Sequence, residues 1–270
     1  MEDDEVRAYE DEKRKERDLV ERETMLLAAT TPIHNAMYKD PGITPALVNE
    51  MSRSARKDMR RGNHPALAYS EVGYVEVFKI FGKLSRLGLA PDAEGTFVDL
   101  GSGVGNVVYG ALLAHDFNAV VGIEILVDLH NVAQNIYEYW DSEVKKPLPL
   151  KKQETIVKFL NGDCSYIDWS YGDIVFANAT CFDVPLIEKL GKQACELKAE
   201  SFFIVLSNKL PERICGRYFD LLQSDSIETD WGKASLYIYR RNKKRSPSHI
   251  GDLGEYVNHI ISTKSLPDNE

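Results

Sequence analysis

The chain has 270 residues, with 33 Lys and Arg against 42 Asp and Glu, a formal charge of −9. Hydrophobic residues make up 43% and aromatics 10%, which is enough apolar material for a sizeable core and excludes a disordered chain. No apolar run reaches the ~18–20 residues that a membrane-spanning helix needs, and the acidic balance speaks against a protein that coats nucleic acid non-specifically.

Read in chain order, the opening Met1-Glu2-Asp3-Asp4-Glu5 matches neither a signal peptide nor an Arg-rich transit peptide, so an intracellular protein is expected. Residues 1–30 carry acids and bases three and four apart, the pattern of a solvated, self-supporting helix. Residues 31–67 alternate turn signals (Thr31-Pro32, Asp40-Pro41-Gly42, Thr44-Pro45) with short amphipathic pieces. Within them Arg53, Arg56, Lys57, Arg60 and Arg61 fall on one helical face and form a basic stripe, either solvated or facing an anionic partner. Residues 1–67 are therefore read as a helical N-terminal region, 68–245 as a catalytic domain and 246–270 as a tail.

From Thr96 onward the periodicity changes. Thr96–Leu100, Ala119–Ile123, Ile156–Leu160, Ile174–Ala177 and Phe202–Leu206 are continuous apolar runs separated by helix-length segments, the signature of a parallel sheet covered on both faces. The stretch Lys145–Lys152 reads as an exposed crossover in which Pro147 and Pro149 prevent helix. Ser226–Thr229 and Ala234–Arg240, joined by Asp230-Trp231-Gly232-Lys233, read as an antiparallel hairpin closing the sheet. The predicted fold is α/β, with a mostly parallel seven-stranded sheet, an antiparallel terminal hairpin and a mainly helical N-terminal region, an arrangement that resembles, by analogy, the class I (Rossmann-like) methyltransferases. The run Arg240-Arg241-Asn242-Lys243-Lys244-Arg245 is a second basic patch, suited to nuclear import or phosphate contact. Cys164, Cys181, Cys195 and Cys215 form no CxxC pair and have no histidine at zinc spacing, so neither a disulfide framework nor a metal site is expected.

The sharpest motif is Phe97-Val98-Asp99-Leu100-Gly101-Ser102-Gly103-Val104-Gly105. A strand ends near Asp99, and the glycines form the turn into a helix at Asn106–His115. A dinucleotide fingerprint would need G-x-G-x-x-G and a pyrophosphate at the helix start. Here the spacing is G-x-G-x-G, and an acid before the glycines would repel a pyrophosphate. That acid suits a cofactor bearing an ammonium group, as S-adenosyl-L-methionine does. Glu124, ending the next strand, is placed to take ribose hydroxyls, its bland alternative being an N-cap. Asp163, after the third strand, is placed to meet the adenine amino group, although Gly-Asp is also a common turn. After the fourth strand Asn178 stands where amino-group methyltransferases hold the acceptor nitrogen, without the prolines of the usual N/D-P-P-Y/F motif.

Together, Tyr69-x-Glu71 before the core, V-D-L-G-S-G-V-G-N, G-I-E, G-D, F-A-N-x-x-x-F and a late Trp-Gly-Lys hairpin resemble the Dot-one (disruptor of telomeric silencing) histone-lysine methyltransferases over roughly residues 65–240. The compact length is similar to that of the small stand-alone members. The resemblance implies that Tyr69, Glu71 and Val72 lie over the cofactor's methionine moiety, with Glu71 and Asp99 taking its ammonium. It implies that Gly101, Ser102, Gly103, Gly105 and Asn106 border the cofactor, with Glu124 at the ribose and Asp163 and Cys164 at the adenine. Asn178 would sit beside the methyl group, and Phe182, Trp231 and Tyr237 would wall a lysine channel; Tyr69 borders both. The family's Tyr-Gly-Glu-Thr loop has Ser70 and Val72 here in place of Gly and Thr, and its Asn-Asn pair is Asn178-Ala179, so one cofactor hydrogen bond is expected to be missing. The implied partner is the nucleosome in the nucleus, with histone-three as substrate and DNA phosphates met by the patches at 53–61 and 240–245. A methyltransferase of a non-histone lysine and a non-catalytic chromatin scaffold are the alternatives.

Overall fold

The computed structural model describes residues 2–39, 43–58, 71–90, 94–229 and 232–243. Tyr69, Ser70, Arg60, Arg61, Trp231, Lys244, Arg245 and the tail from 246 lie outside the described residues. Seven strands form one sheet in the order β3-β2-β1-β4-β5-β7-β6, with β1 Thr96–Leu100, β2 Ala119–Glu124, β3 Ile156–Asn161, β4 Ile174–Ala177, β5 Phe202–Leu206, β6 Phe219–Thr229 and β7 Gly232–Arg241. The first five are parallel, and β7 runs antiparallel between β5 and β6. This is the class I methyltransferase arrangement. Strands β1, β2, β4 and β5 are buried at every position, which is why they read as unbroken apolar runs rather than alternating ones.

Two apolar layers sandwich the sheet. One face, from Phe97, Val120, Phe176 and Ile204, packs under α3 (Tyr74–Arg86), α4 (Asn106–Ala114) and α5 (Val127–Tyr139). The other, from Val98, Val121, Val175 and Phe203, packs under α7 (Val184–Ala194), Trp169 and the short α8 (Glu212–Cys215).

Three features depart from the sequence expectations. The N-terminal helix α1 runs Glu2–Met37, through Pro32, where a turn is predicted. Its last turns bury Thr30, His34 and Met37, and Tyr74 Oη hydrogen-bonds Thr30, so tertiary packing on α3 and α4 carries the helix past the proline. The predicted exposed crossover contains α6 (Leu150–Glu154), which begins directly after Pro149, where a proline's fixed φ suits a helix start. Within it Lys152 is buried, donating to Leu112 O and His115 O at 2.6 Å each and pairing with Asp116 at 2.8 Å. The second basic patch is also smaller than its sequence suggests. Arg241 is fully buried and bonds Cys195 O at 3.0 Å and Asn242 O at 3.2 Å, so it is not available to DNA. Arg240 lies over Phe202 and near Glu200, which Lys243 also approaches. Of the first patch, α2 (Pro45–Asp58) carries an exposed Arg53.

Candidate active site

In an open α/β sheet the ligand crevice lies beyond the carboxyl ends of the strands, where the order reverses. Here β1 is flanked by β2 and β4, so the crevice lies between the loops after Leu100 and after Ala177. The glycine loop and Asn178 both emerge there.

The loop geometry follows from its sequence. Gly101, Gly103 and Gly105 have φ of +83°, +54° and +89°, a region L-residues with a Cβ rarely adopt. Ile123 O accepts from the amides of Gly101 at 2.8 Å and Ser102 at 3.0 Å, tying the loop to β2. A Cβ on Gly105 would stand 2.6 Å from Phe159 Cζ, so only glycine fits. A second close approach is at Gly122 in β2, the glycine of the G-I-E motif: a Cβ there would meet Ser102 Oγ at 2.6 Å and Phe159 Cδ1 at 2.7 Å.

Two carboxylates lie beneath this loop. Asp99 is 2% exposed; burial pushes its pKa well above the usual carboxylate value, and the Glu124 charge pushes it further. Glu124 is also buried, and burial raises its pKa against the pull of backbone amides. Its Oε2 accepts from Gly103 N and its Oε1 from Leu126 N, both at 2.8 Å. Glu124 thus both braces the glycine loop and starts α5, and each oxygen retains a lone pair for a further donor. At the end of β3, Asp163 Oδ1 accepts from Ser165 N at 2.9 Å, and Cys164 O holds the Trp169 indole at 3.0 Å. The Cys164 thiol is pushed up, by burial first and then by the charges of Asp163 and Glu124, so it is a neutral, apolar wall.

On the near side, Val72 is buried, and its carbonyl accepts from Asn106 Nδ2 at 2.6 Å, joining the pre-core loop to the first residue of α4. Glu71 lines a cavity of about 310 Å³ with Asn106, His34 and Tyr38. On the far side, Asn178 Oδ1 accepts from Thr180 Oγ1 at 2.9 Å, and Thr180 Oγ1 lies 2.8 Å from Ser207 Oγ. Ser207 has φ +64°, a strained conformation at the end of β5 of the kind found beside functional sites. Phe182 reaches back to the glycine loop, its Cζ 3.5 Å from where a Gly101 Cβ would be. Phe182 and Tyr237 pack on the same apolar layer, and Lys209 Nζ lies 5.3 Å from the Tyr237 ring centroid. The structure places Asp99, the three glycines, Ser102, Asn106, Glu124, Asp163, Cys164 and Asn178 at or just beyond the carboxyl ends of β1, β2, β3 and β4. Sequence reasoning missed Ser207, His34 and Tyr38, none of which stands in a motif, and gave Gly122 no role although it opens the G-I-E motif.

The donor set suits a cationic, adenosine-bearing ligand. Two buried acids disfavour each other's charge and favour a cation between them. The Ser102 hydroxyl is buried without a partner among the described residues, leaving a donor at the loop. A sheet of this topology with a glycine loop over paired acids defines a class I methyltransferase. Residues 66–218 match the family model described as "Histone methylation protein DOT1", more than half of the chain. The chain belongs to this family, and S-adenosylmethionine is its methyl donor. Among curated proteins there is no match. Among solved structures, the chain is similar to an RNA methyltransferase from Salinibacter ruber in complex with S-adenosyl-L-homocysteine, at 21% identity over 64% of this chain and 97% of that one, TM-score 0.43. It is also similar to the M. jannaschii tRNA m1G37 methyltransferase, at 11% identity over 66% of this chain and 53% of that one, TM-score 0.44. Among the described residues no helix is long and apolar enough to cross a membrane.

Proposed function

We propose that the protein transfers a methyl group from S-adenosylmethionine to the side-chain amine of a lysine on the globular core of nucleosomal histone-three, in the nucleus. The observation that carries this reading is the buried pair Asp99 and Glu124 under the glycine loop, at the switch point of the sheet after which Asn178 follows β4. Family membership supplies the substrate class. Asp99 and Glu71 receive the cofactor's ammonium, and Glu124 uses its free lone pairs for the ribose hydroxyls. Asp163 meets the adenine amino group, beside the apolar wall of Cys164.

The cofactor supplies an activated methyl on a sulfonium. The chain's own contribution is placement: Asn178 holds the acceptor nitrogen in line, and Phe182 and Tyr237 keep its approach apolar. A lysine entering such an approach loses hydration, which lowers its pKa and releases the proton that must leave before attack. No strong base is required at the channel. Tyr69 and Trp231 complete the proposed walls.

A second reading, methylation of a non-histone protein lysine, is favoured by the burial of Arg241 and the Glu200 neighbours of Arg240 and Lys243, which reduce the cationic surface offered to DNA. Transfer of radiolabelled methyl to reconstituted nucleosomes and to free histone octamers, with Asn178→Ala as control, decides between the two. Label on histone-three that disappears in the variant supports the first. A protein that binds the cofactor but labels neither substrate rejects it.

A further inference from the structure

The last turns of α1 pack against α3 and the start of α4, which follows directly on the glycine loop. There His34, Tyr38, Val48, Glu71 and Asn106 surround the cavity of about 310 Å³. His34 stacks on Tyr74, ring centroids 4.3 Å apart, and packs on Tyr38 at 5.0 Å, which fixes both rings. Its Nε2 lies 3.4 Å from Asn106 O, at the start of α4. The Tyr38 hydroxyl is buried and has no hydrogen-bond partner among the described residues. Native structures rarely leave a buried hydroxyl unpaired, and where they do, a ligand or an ion often supplies the partner.

We propose that the N-terminal helix completes the cofactor site, and that the Tyr38 hydroxyl donates a hydrogen bond to the carboxylate at the cofactor's amino-acid end. The inference rests on the cofactor placement above. The chemistry of the cavity is that of a zwitterion's receptor. Glu71 and Asp99 attract the ammonium, and the same carboxylates would repel the neighbouring carboxylate unless a donor held it. Burial, with the nearby Tyr109, Glu71 and Asp99, keeps the Tyr38 phenol protonated, so it acts as a donor. His34 is kept neutral by burial, its pKa lowered to about 4, and serves as packing rather than as a counter-charge. The consequence is that α1, whose N-terminal half is a charged solvated helix, is tied through its last turn to cofactor affinity.

Isothermal titration calorimetry on the full chain and on Tyr38→Phe tests this with two ligands. S-adenosylhomocysteine carries the amino-acid end, whereas 5′-methylthioadenosine shares the adenosine and thioether and lacks it. Losing a hydrogen bond to a charged group is expected to weaken S-adenosylhomocysteine by roughly tenfold or more. Methylthioadenosine should bind both proteins within about twofold. An equal loss for both ligands would assign Tyr38 a purely structural role, and no loss for either would remove it from the site; both overturn the proposal. Failure of the unaltered protein to bind either ligand would instead overturn the cofactor placement beneath it.

Discussion

Replacing Gly105 by alanine tests the glycine loop at its tightest point. The residue has φ +89°, and a left-handed conformation costs an L-residue about 1–2 kcal/mol. The new methyl would also stand 2.6 Å from Phe159 Cζ, 2.8 Å from Phe159 Cε1 and 3.3 Å from Tyr109 Cε2. Phe159 is 5% exposed and packs 5.8 Å from the Tyr109 ring, so it has no open space to swing into. Overpacking of this kind costs ~1–3 kcal/mol. The two contributions together predict a loss of about 2–5 kcal/mol. Urea unfolding followed by circular dichroism reads the loss as a lower midpoint at unchanged slope. Gly73→Ala is the control: its φ is −65° and nothing lies within 4 Å of the added methyl, so it should cost only the ~1 kcal/mol that alanine carries at a helix N-cap. If Gly105→Ala lost less than about 1 kcal/mol, the loop would not be held as described.

The other expectations concern the acids, the buried histidine and the buried lysine. Burial and then Glu124 raise the Asp99 pKa, so its contribution to stability is full below pH ~4 and is lost as pH rises through the folded value. The melting temperature of Asp99→Asn should therefore gain on that of the unaltered protein as pH rises, and parallel profiles would contradict the burial argument. Because Asp99 must lose its proton to meet an ammonium, cofactor binding should release protons in the unaltered protein and fewer in Asp99→Asn, read as buffer-dependent binding enthalpy. His34, lowered to about 4 by burial, contributes stability that is present above its unfolded value of 6.5 and lost as pH falls towards 4. His34→Phe should flatten that acid limb in a denaturation series, and an unchanged limb would refute it. Lys152→Met leaves Leu112 O and His115 O without their donor and should cost about 2–4 kcal/mol by the same urea assay.

The core of this protein is legible because its strands are buried on both faces. Thr96–Leu100, Ile174–Ala177 and Phe202–Leu206 coincide with the predicted runs residue for residue, since a parallel strand covered on both faces reads as a short, largely apolar run between turn signals. Strand β6 begins at Phe219, seven residues ahead of its predicted start at Ser226. It is the sheet's edge, largely exposed, and its Asp220, Gln223, Ser224 and Asp225 give no apolar pattern, while a bulge between Leu221 and Gln223 breaks its period. Lys152 and Arg241 were read as surface cations because a sequence shows a charge but not the carbonyls waiting for it. Each finds acceptors on a distant segment: the end of α4 for Lys152, and the end of α7, together with the carbonyl of its own neighbour Asn242, for Arg241. The same limit hid Tyr38, 61 positions before Asp99 in the chain.

These non-local contacts explain how a marginal arrangement is held in place. A strand end with two buried acids is unfavourable alone, since desolvation opposes the charge on both and each opposes the other. Glu124 offsets part of this through two backbone amides, one of them from the glycine loop, so the loop and the acid stabilise each other. Asp99 is relieved most directly by a cation. A ligand that brings an ammonium to this point favours the charged form of Asp99, and part of its binding energy goes into releasing the proton that burial and Glu124 otherwise hold there. With α1 docked beside the same acids through His34 and Tyr38, that relief extends to the N-terminal helix. Cofactor saturation should protect the amides of residues 30–38 from hydrogen exchange along with those of the glycine loop. Protection confined to the loop would separate the helix from the site.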